Sequence, residues 1–368
     1  MNILYVSEMS PNSDTGLYWS VPNQVLSQSK HDNVLWLNIK DCSCPYWEDT
    51  GKYITSNKSN KTKLSDLPSP FDIPDLVVFE GFYQDTRVMY KEVRKKKIPY
   101  IIVPRCSLTW QGQRKHRIKK IVGNIYFFNR FAKNAIAIHY LTADEKNDSG
   151  DSWNKRSFVM PNGVVKISDK QWHPKSFNDN SGLRGVFIGR ISVYHKGLDL
   201  LVSAVEREQA VLRKRNVTID IYGPDRENQR EHLESDIKNR GLDDILIVHH
   251  NSIFGEEKER ILLSSDFFVL TSRLEGHPMG LIEALSYGVP SLITRGSNMM
   301  NEIEEYKCGW CAETDEMQIA KALVRLTETS DTELSMMSEQ AIQLAKQYQW
   351  ESIGERTHSL YVNLLKIK

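Results

Sequence analysis

The stretch that most constrains the fold of this chain is residues 264–294, SSDFFVLTSRLEGHPMGLIEALSYGVPSLIT. It reads as strand, loop, helix, strand. Residues 267–270 are a short apolar run, and 271–277 are polar and end in Pro278. Residues 279–287 have helical spacing, Gly288 stops the helix, and 290–294 start a new strand. Pro278 suits the first helical turn, where its missing N–H costs nothing. The N–H groups of Met279, Gly280 and Leu281 are therefore expected to be free, with the positive end of the helix dipole behind them. That is an anion site, and Gly280 is read as letting a phosphate come close.

Two carboxylates flank this helix start, Glu275 in the loop and Glu283 inside the helix. A carboxylate beside an anion site is repelled unless it holds something else, and the hydroxyls of a sugar or ribose suit it. A capped helix with two surface glutamates is the plain alternative. An upstream stretch has matching chemistry. Residues 185–190 (GVFIGR) read as a strand ending in Gly189-Arg190, and Lys196-Gly-Leu-Asp199 opens the next helix. Two cations six apart at a strand's carboxyl end, beside a helix N-terminus, suit a diphosphate. Standing alone, they would read as a surface salt-bridging pair.

Together these runs resemble the retaining GT-B glycosyltransferases of the large "group 1" family. That resemblance rests on residues 272–290 (SRLEGHPMGLIEALSYGVP) and on Gly189-Arg190, a short loop, and Lys196-Gly-x-Asp. It implies two Rossmann-like α/β domains facing across a cleft, with a C-terminal helix crossing back to the first. It implies that Glu275 sits against the donor sugar and Glu283 holds the ribose, with Arg190 and Lys196 on the diphosphate. Gly189, Gly223, Pro224, Gly276, His277, Met279, Gly280 and Leu281 are then donor- or nucleotide-binding positions, and residues 251–255 read the base. In the first domain the family's Gly-Gly loop is reduced to Gly16, and a histidine common in the family is replaced by Arg105 and Ser107, with Cys106 where glycine is usual. Arg105 and Ser107 are the candidate sugar or acceptor contacts. The substrate implied is a UDP- or GDP-linked sugar and the acceptor a glycan, lipid-linked, in bacterial surface polysaccharide (capsule or O-antigen) synthesis. No cofactor and no metal are expected.

At 368 residues the chain suggests two domains, here drawn as 1–168, 169–348 and a returning helix at 349–368. The linker is placed at residues 165–178. No apolar run approaches the ~20 residues of a bilayer span. The first residues lack a basic lead-in, so they read as a strand and the protein as cytoplasmic. Five cysteines include Cys42-x-Cys44 and Cys308-x-x-Cys311; free thiols are favoured over a zinc or redox pair, since no βαβ context frames the second pair.

Charge is uneven. Residues 91–133 hold thirteen Lys/Arg against the single acid Glu92, on a chain of net charge +1. Within them, residues 113–131 read as one basic amphipathic helix carrying Arg114, Lys115, Arg117, Lys119 and Lys120, with an aromatic cluster at 126–128. A solvated helix face and peripheral contact with anionic lipid heads on the inner membrane face both remain open. Nucleic acid is set aside, because no nucleic-acid motif accompanies the charge.

Residues 2–6, 100–103, 135–139 and 217–222 read as strands, and 34–38 and 75–79 as buried parallel ones. Residues 40–70, polar and poorly periodic, read as a long insertion or acceptor-side loop, and Thr142 with Glu145 as a capping box. Two rival functions are a nucleotide-sugar 2-epimerase of the same fold, which needs no acceptor, and a catalytically silent nucleotide-sugar or membrane-surface binding protein.

Overall fold

The computed structural model describes residues 1–11, 16–56, 61–114, 116–164 and 182–366. Contacts divide the chain into two units, Met1–Gly163 with Trp350–Lys368, and Val164–Gln349. The expected linker at 165–178 lies outside the described residues.

In the first unit, seven strands form one parallel sheet: β1 (Asn2–Ser7), β2 (Asn33–Asn38), β3 (Tyr53–Thr55), β4 (Leu76–Glu80), β5 (Tyr100–Val103), β6 (Ala137–Tyr140) and β7 (Ser157–Val159). Their order is β3-β2-β1-β4-β5-β6-β7. The central strands are buried on both faces, which is why they are continuous apolar runs without alternation. Helix Trp350–Lys366 belongs to this unit and packs on helix Gly16–Gln28. Ser27 Oγ donates to the Trp350 carbonyl, His358 Nδ1 lies 2.8 Å from the buried Asp32 carboxylate, and Tyr361 is fully buried.

Two local expectations are corrected. Residues 40–70 are not a plain loop. They contain a helical turn, Pro45–Glu48, and the edge strand β3, paired with β2 at Trp36↔Tyr53. The cause is aromatic: Trp36, Trp47 and Tyr53 stack within 4.8–5.6 Å of one another. Trp47 is fully buried, and burying a side chain of this size contributes ~2–3 kcal/mol, enough to order a polar stretch around it.

The basic stretch is not one helix either. It breaks into helices Trp110–Arg114 and Arg117–Gly123, a π-helical turn Asn124–Phe128, and helix Asn129–Asn134, with His116 in the left-handed region at φ 56°. The π turn lets Phe127 and Phe128 pack into the core while Tyr126 stays exposed. Thr142 caps helix Ala143–Ser149 as expected, accepting from the Glu145 N–H at 3.0 Å. The Glu145 carboxylate instead accepts from the N–H groups of Leu141 (2.7 Å) and Cys106 (2.5 Å).

In the second unit, six strands form a parallel sheet in the order β10-β9-β8-β11-β12-β13. They are β8 (Leu183–Ile188), β9 (Val217–Tyr222), β10 (Leu246–Val248), β11 (Phe267–Leu270), β12 (Ser291–Thr294) and β13 (Gly309–Ala312). Helices Leu198–Lys214, Gly255–Ser264, Met279–Ser286 and Glu316–Glu328 cover it, and a single apolar core runs through the unit.

Candidate active site

The chain builds β8, β9 and β10 outward in one direction and then returns to place β11 on the other side of β8. Between β8 and β11 the strand order reverses, and in open parallel sheets ligands bind outside the carboxyl ends of the strands at such a point. The loops leaving β8 and β11 there carry Gly189, Arg190, Lys196, Glu275, Gly276 and His277, and the helix start supplies Met279 and Gly280. Gly223 and Pro224 leave the neighbouring β9. One fold position therefore gathers most of the sequence candidates of this unit.

The two loops are fastened together by groups with no obvious signature. The Arg273 N–H donates to the His195 carbonyl at 2.9 Å, and Thr271 Oγ1 to Gly197 O at 2.9 Å. The Arg273 guanidinium grips Asp199 with two bonds of 2.7 Å and lies 4.3 Å from the Tyr194 ring centre. A bidentate, stacked arginine fixes geometry as well as charge. Ile191 N donates to Pro224 O at 2.9 Å, joining the β9 loop to the same frame.

Within that frame Lys196 and Glu275 meet. Lys196 Nζ lies 2.5 Å from Glu275 Oε1, with the side chains only 19% and 13% exposed. Ser272 Oγ donates to the same oxygen at 2.6 Å, the Glu275 N–H donates to Gly296 O at 2.8 Å, and Asn298 Nδ2 donates to the Glu275 carbonyl. A carboxylate held at both its backbone and its head group is preorganised. Arg190 is half-buried and makes no ion pair among the described residues. Glu283, on the adjoining helix, is ion-paired with Lys258 of helix Gly255–Ser264, a contact that sequence reading did not anticipate.

Three expectations change in detail. Pro278 is the cap and not the first helical residue, and its carbonyl accepts from both Leu281 N (3.0 Å) and Ile282 N (3.1 Å). Met279 and Gly280 therefore keep the free N–H groups, and Leu281 does not. Gly280 is needed by the protein itself: a Cβ there would lie 2.9 Å from the Ile188 carbonyl, pushing the helix off β8. Gly197 is similar, with φ 61° and a Cβ position 2.0 Å from the Thr271 carbonyl.

His277 is buried, its ring 5.2 Å from that of Tyr348, with Nδ1 unpartnered among the described residues. Burial pushes its pKa down to about 3, so it is neutral at pH 7. An unfolded histidine titrates near 6.5, so its stabilising contribution is complete above that pH and is lost as pH falls toward 3. Between pH 6.5 and 5 this one group is expected to cost about 2 kcal/mol. Denaturant titrations of wild type and His277→Gln at pH 7 and pH 5 check this. The wild type should lose more stability than the variant, whereas parallel losses would contradict the assignment.

The remaining candidates belong to the first unit. Gly16 begins helix Gly16–Gln28, while residues 12–15 before it lie outside the described residues. Arg105, with φ 50°, spends its guanidinium on Glu80 (2.7 and 3.0 Å), Ser20 (3.3 Å) and Gln24 (3.2 Å). It is an internal counter-ion for a fully buried carboxylate. The Ser107 N–H donates to Pro104 O, and Ser107 O accepts from Gln113 Nε2. None of the five cysteines is in a disulfide. Burial raises the thiols of Cys308 and Cys311 to about 12, so neither is a ready thiolate. Among the described residues no cluster of three His, Cys, Asp or Glu is arranged to hold a metal, and no helix is long and apolar enough to cross a membrane.

The comparisons with known proteins agree with this geometry. Sucrose-phosphate synthase from Thermosynechococcus elongatus superposes with a TM-score of 0.73 over all of both chains, at 14% identity. Anabaena HepE, solved with UDP and glucose, gives 0.70 at 14% identity, covering 99% of this chain and 100% of its own. The lipopolysaccharide outer core galactosyltransferase WaaB gives 0.71 at 14% identity over 99% of each chain. A search of curated proteins by sequence found no match. The fold is that of the GT-B glycosyltransferases. Residues 168–344, a little under half of the chain and nearly all of the second unit, match the family model "Glycosyl transferases group 1".

Proposed function

We propose that the protein transfers a hexose-type sugar, with retention of anomeric configuration, from a UDP- or GDP-linked donor to a lipid-linked glycan acceptor in bacterial surface polysaccharide (capsule or O-antigen) synthesis. The observation that carries this reading is the Lys196–Glu275 pair, held rigid beside a helix start with free N–H groups at the switch point of the second sheet. That HepE was solved with UDP and glucose, and that WaaB acts on lipopolysaccharide, supports the donor and acceptor classes.

In this mechanism Arg190, Lys196 and the N–H groups of Met279 and Gly280 take up the charge of the departing diphosphate. Preorganised charge aimed at a leaving group is commonly the largest catalytic contribution. Glu275 orients the sugar and supports positive charge near its anomeric carbon. The bond from that carbon to the phosphate oxygen breaks, the acceptor hydroxyl oxygen bonds on the same face, and its proton passes to the leaving phosphate. No cofactor or metal is required by this chemistry. Labelled UDP- and GDP-sugars incubated with lipid-linked acceptor extracts test it. Acceptor-dependent transfer with retained configuration supports the proposal. Conversion of the donor without acceptor would favour the epimerase, and binding without turnover the silent protein.

The membrane contact is supported by an observation beyond charge. Ile118, Ile121 and Val122 of helix Arg117–Gly123 and Ile125 of the π turn are exposed, as are Trp110 and Tyr126. Ile118, Ile125 and Tyr126 are 79%, 73% and 85% exposed. Arg114, Arg117 and Lys119 are exposed near them, whereas Lys120 donates to Gly112 O and covers the Tyr83 ring, and Lys115 lies outside the described residues. Apolar side chains rimmed by cations, each worth ~1 kcal/mol at an anionic surface, suit a peripheral position on the inner membrane face of a cytoplasmic enzyme. Sedimentation should show binding to phosphatidylglycerol vesicles that Ile118→Asp with Ile125→Asp abolishes. Equal binding by the double variant would contradict it.

A further inference from the structure

Lys258 lies outside every loop of the switch point and outside the motifs that define the site, yet it is the charge that the structure sets against Glu283. It stands in the first turns of helix Gly255–Ser264, among Glu256, Glu257 and Glu259. None of these is three or four residues from it, so its own helix offers it no acidic neighbour at the spacing where side chains meet. Its ammonium instead reaches the next helix and pairs with Glu283 Oε2, both side chains being about three-quarters buried (23% and 26% exposed). Oε2 is closed off from solvent and meets the ammonium as a charge contact without hydrogen-bond geometry, while Oε1 takes no hydrogen bond or ion pair among the described residues.

Under the reading that Glu283 holds the donor ribose, this division of the carboxylate has a consequence. A carboxylate accepts hydrogen bonds from ribose hydroxyls, yet its charge repels the diphosphate of the ligand it is there to bind. An ammonium on one oxygen resolves this. It offsets the local charge and occupies one oxygen, leaving the other for the hydroxyls. We propose that Lys258 is a positioning residue for nucleotide recognition, acting through Glu283: it fixes Oε1 as the ribose acceptor and sets the affinity for the nucleoside diphosphate.

The test is calorimetric titration of UDP and GDP into the full chain, using the wild type, Lys258→Gln, Lys258→Arg, Glu283→Ala and the Lys258→Gln/Glu283→Ala double variant. Lys258→Gln is expected to raise Kd ~10-fold, as loss of one partner of a partly buried charge pair does, and Lys258→Arg to hold it within ~3-fold. The penalty of Lys258→Gln should vanish in the Glu283→Ala background, and it should shrink for the 2′,3′-dideoxy nucleotide. An unchanged Kd in Lys258→Gln overturns the proposal, as do additive penalties or an equal penalty on the dideoxy ligand. Should Lys258→Gln fail to fold, an arginine variant that binds ~10-fold more weakly would overturn it alone. If Glu283→Ala itself binds like the wild type, the ribose reading fails first, and that outcome is read independently of Lys258.

Discussion

Lys196→Ala is expected to lower kcat/KM for glycosyl transfer ~10³-fold, the cost of losing a preorganised charge at a leaving group. The physical grounds are that Lys196 does two things from one position. It faces the site from the helix-opening loop after β8, and its ammonium lies 2.5 Å from Glu275 Oε1. Without it, under the proposed mechanism, the departing diphosphate loses a cation, and Glu275 is left a mostly buried carboxylate whose Oε1 still accepts from the Ser272 hydroxyl. Breaking such a pair from one side costs more than the pair itself contributes, so the variant should also be less stable by ~1–3 kcal/mol. Steady-state kinetics and denaturant titration measure the two losses separately. Unchanged turnover in a folded variant would remove Lys196 from the mechanism.

Glu275→Gln separates the two halves of the site. Glutamine keeps the size of the side chain but not the charge that faces Lys196 and that the proposed mechanism sets near the anomeric carbon. Turnover should fall ~10²–10³-fold. Binding of the bare nucleoside diphosphate should not fall with it. With the carboxylate gone, Lys196 is freed and a negative charge near the ligand is removed, so UDP or GDP should bind equally or up to ~10-fold more tightly. Lys196→Ala should show weaker nucleotide binding, which makes opposite signs the signature of the arrangement. A Glu275→Gln variant that loses affinity and turnover together would assign Glu275 to nucleotide binding.

Much of the second unit is legible in the sequence because its chemistry is local. Residues 272–290 place a loop carboxylate, a helix start and a helix stop within one supersecondary unit, and β8, β9 and β11 are apolar enough to be read directly. What escaped reading is tertiary. Lys258 and Glu283 lie on different helices, twenty-five positions apart, and no periodicity relates them. Arg273 looks like a free loop cation until Asp199 is brought under it. Gly280 was assigned to the ligand because a phosphate and the Ile188 carbonyl demand the same absence of a side chain.

In the first unit the reading faltered where strands are short or charges are buried. The three-residue β3 has too little sequence to show a period, and the Trp47 that orders it is anchored by residues eleven positions earlier and six later. Arg105 was legible as a special residue, yet its partner Glu80 ends a strand that sequence alone shows as apolar. The π turn at Asn124–Phe128 interrupts the helical spacing that the sequence shows through this stretch, with Phe127 and Phe128 packed against the core and Ile118 and Ile125 exposed.

The account rests on the claim that the switch point of the second sheet binds a nucleoside diphosphate. Calorimetric titration of UDP and GDP into the wild type and Arg190→Ala measures this directly. Saturable one-site binding of one nucleotide, weakened at least ~10-fold in the variant, is the expected result. Absence of binding by either nucleotide at millimolar concentration, or equal binding by the variant, would contradict it.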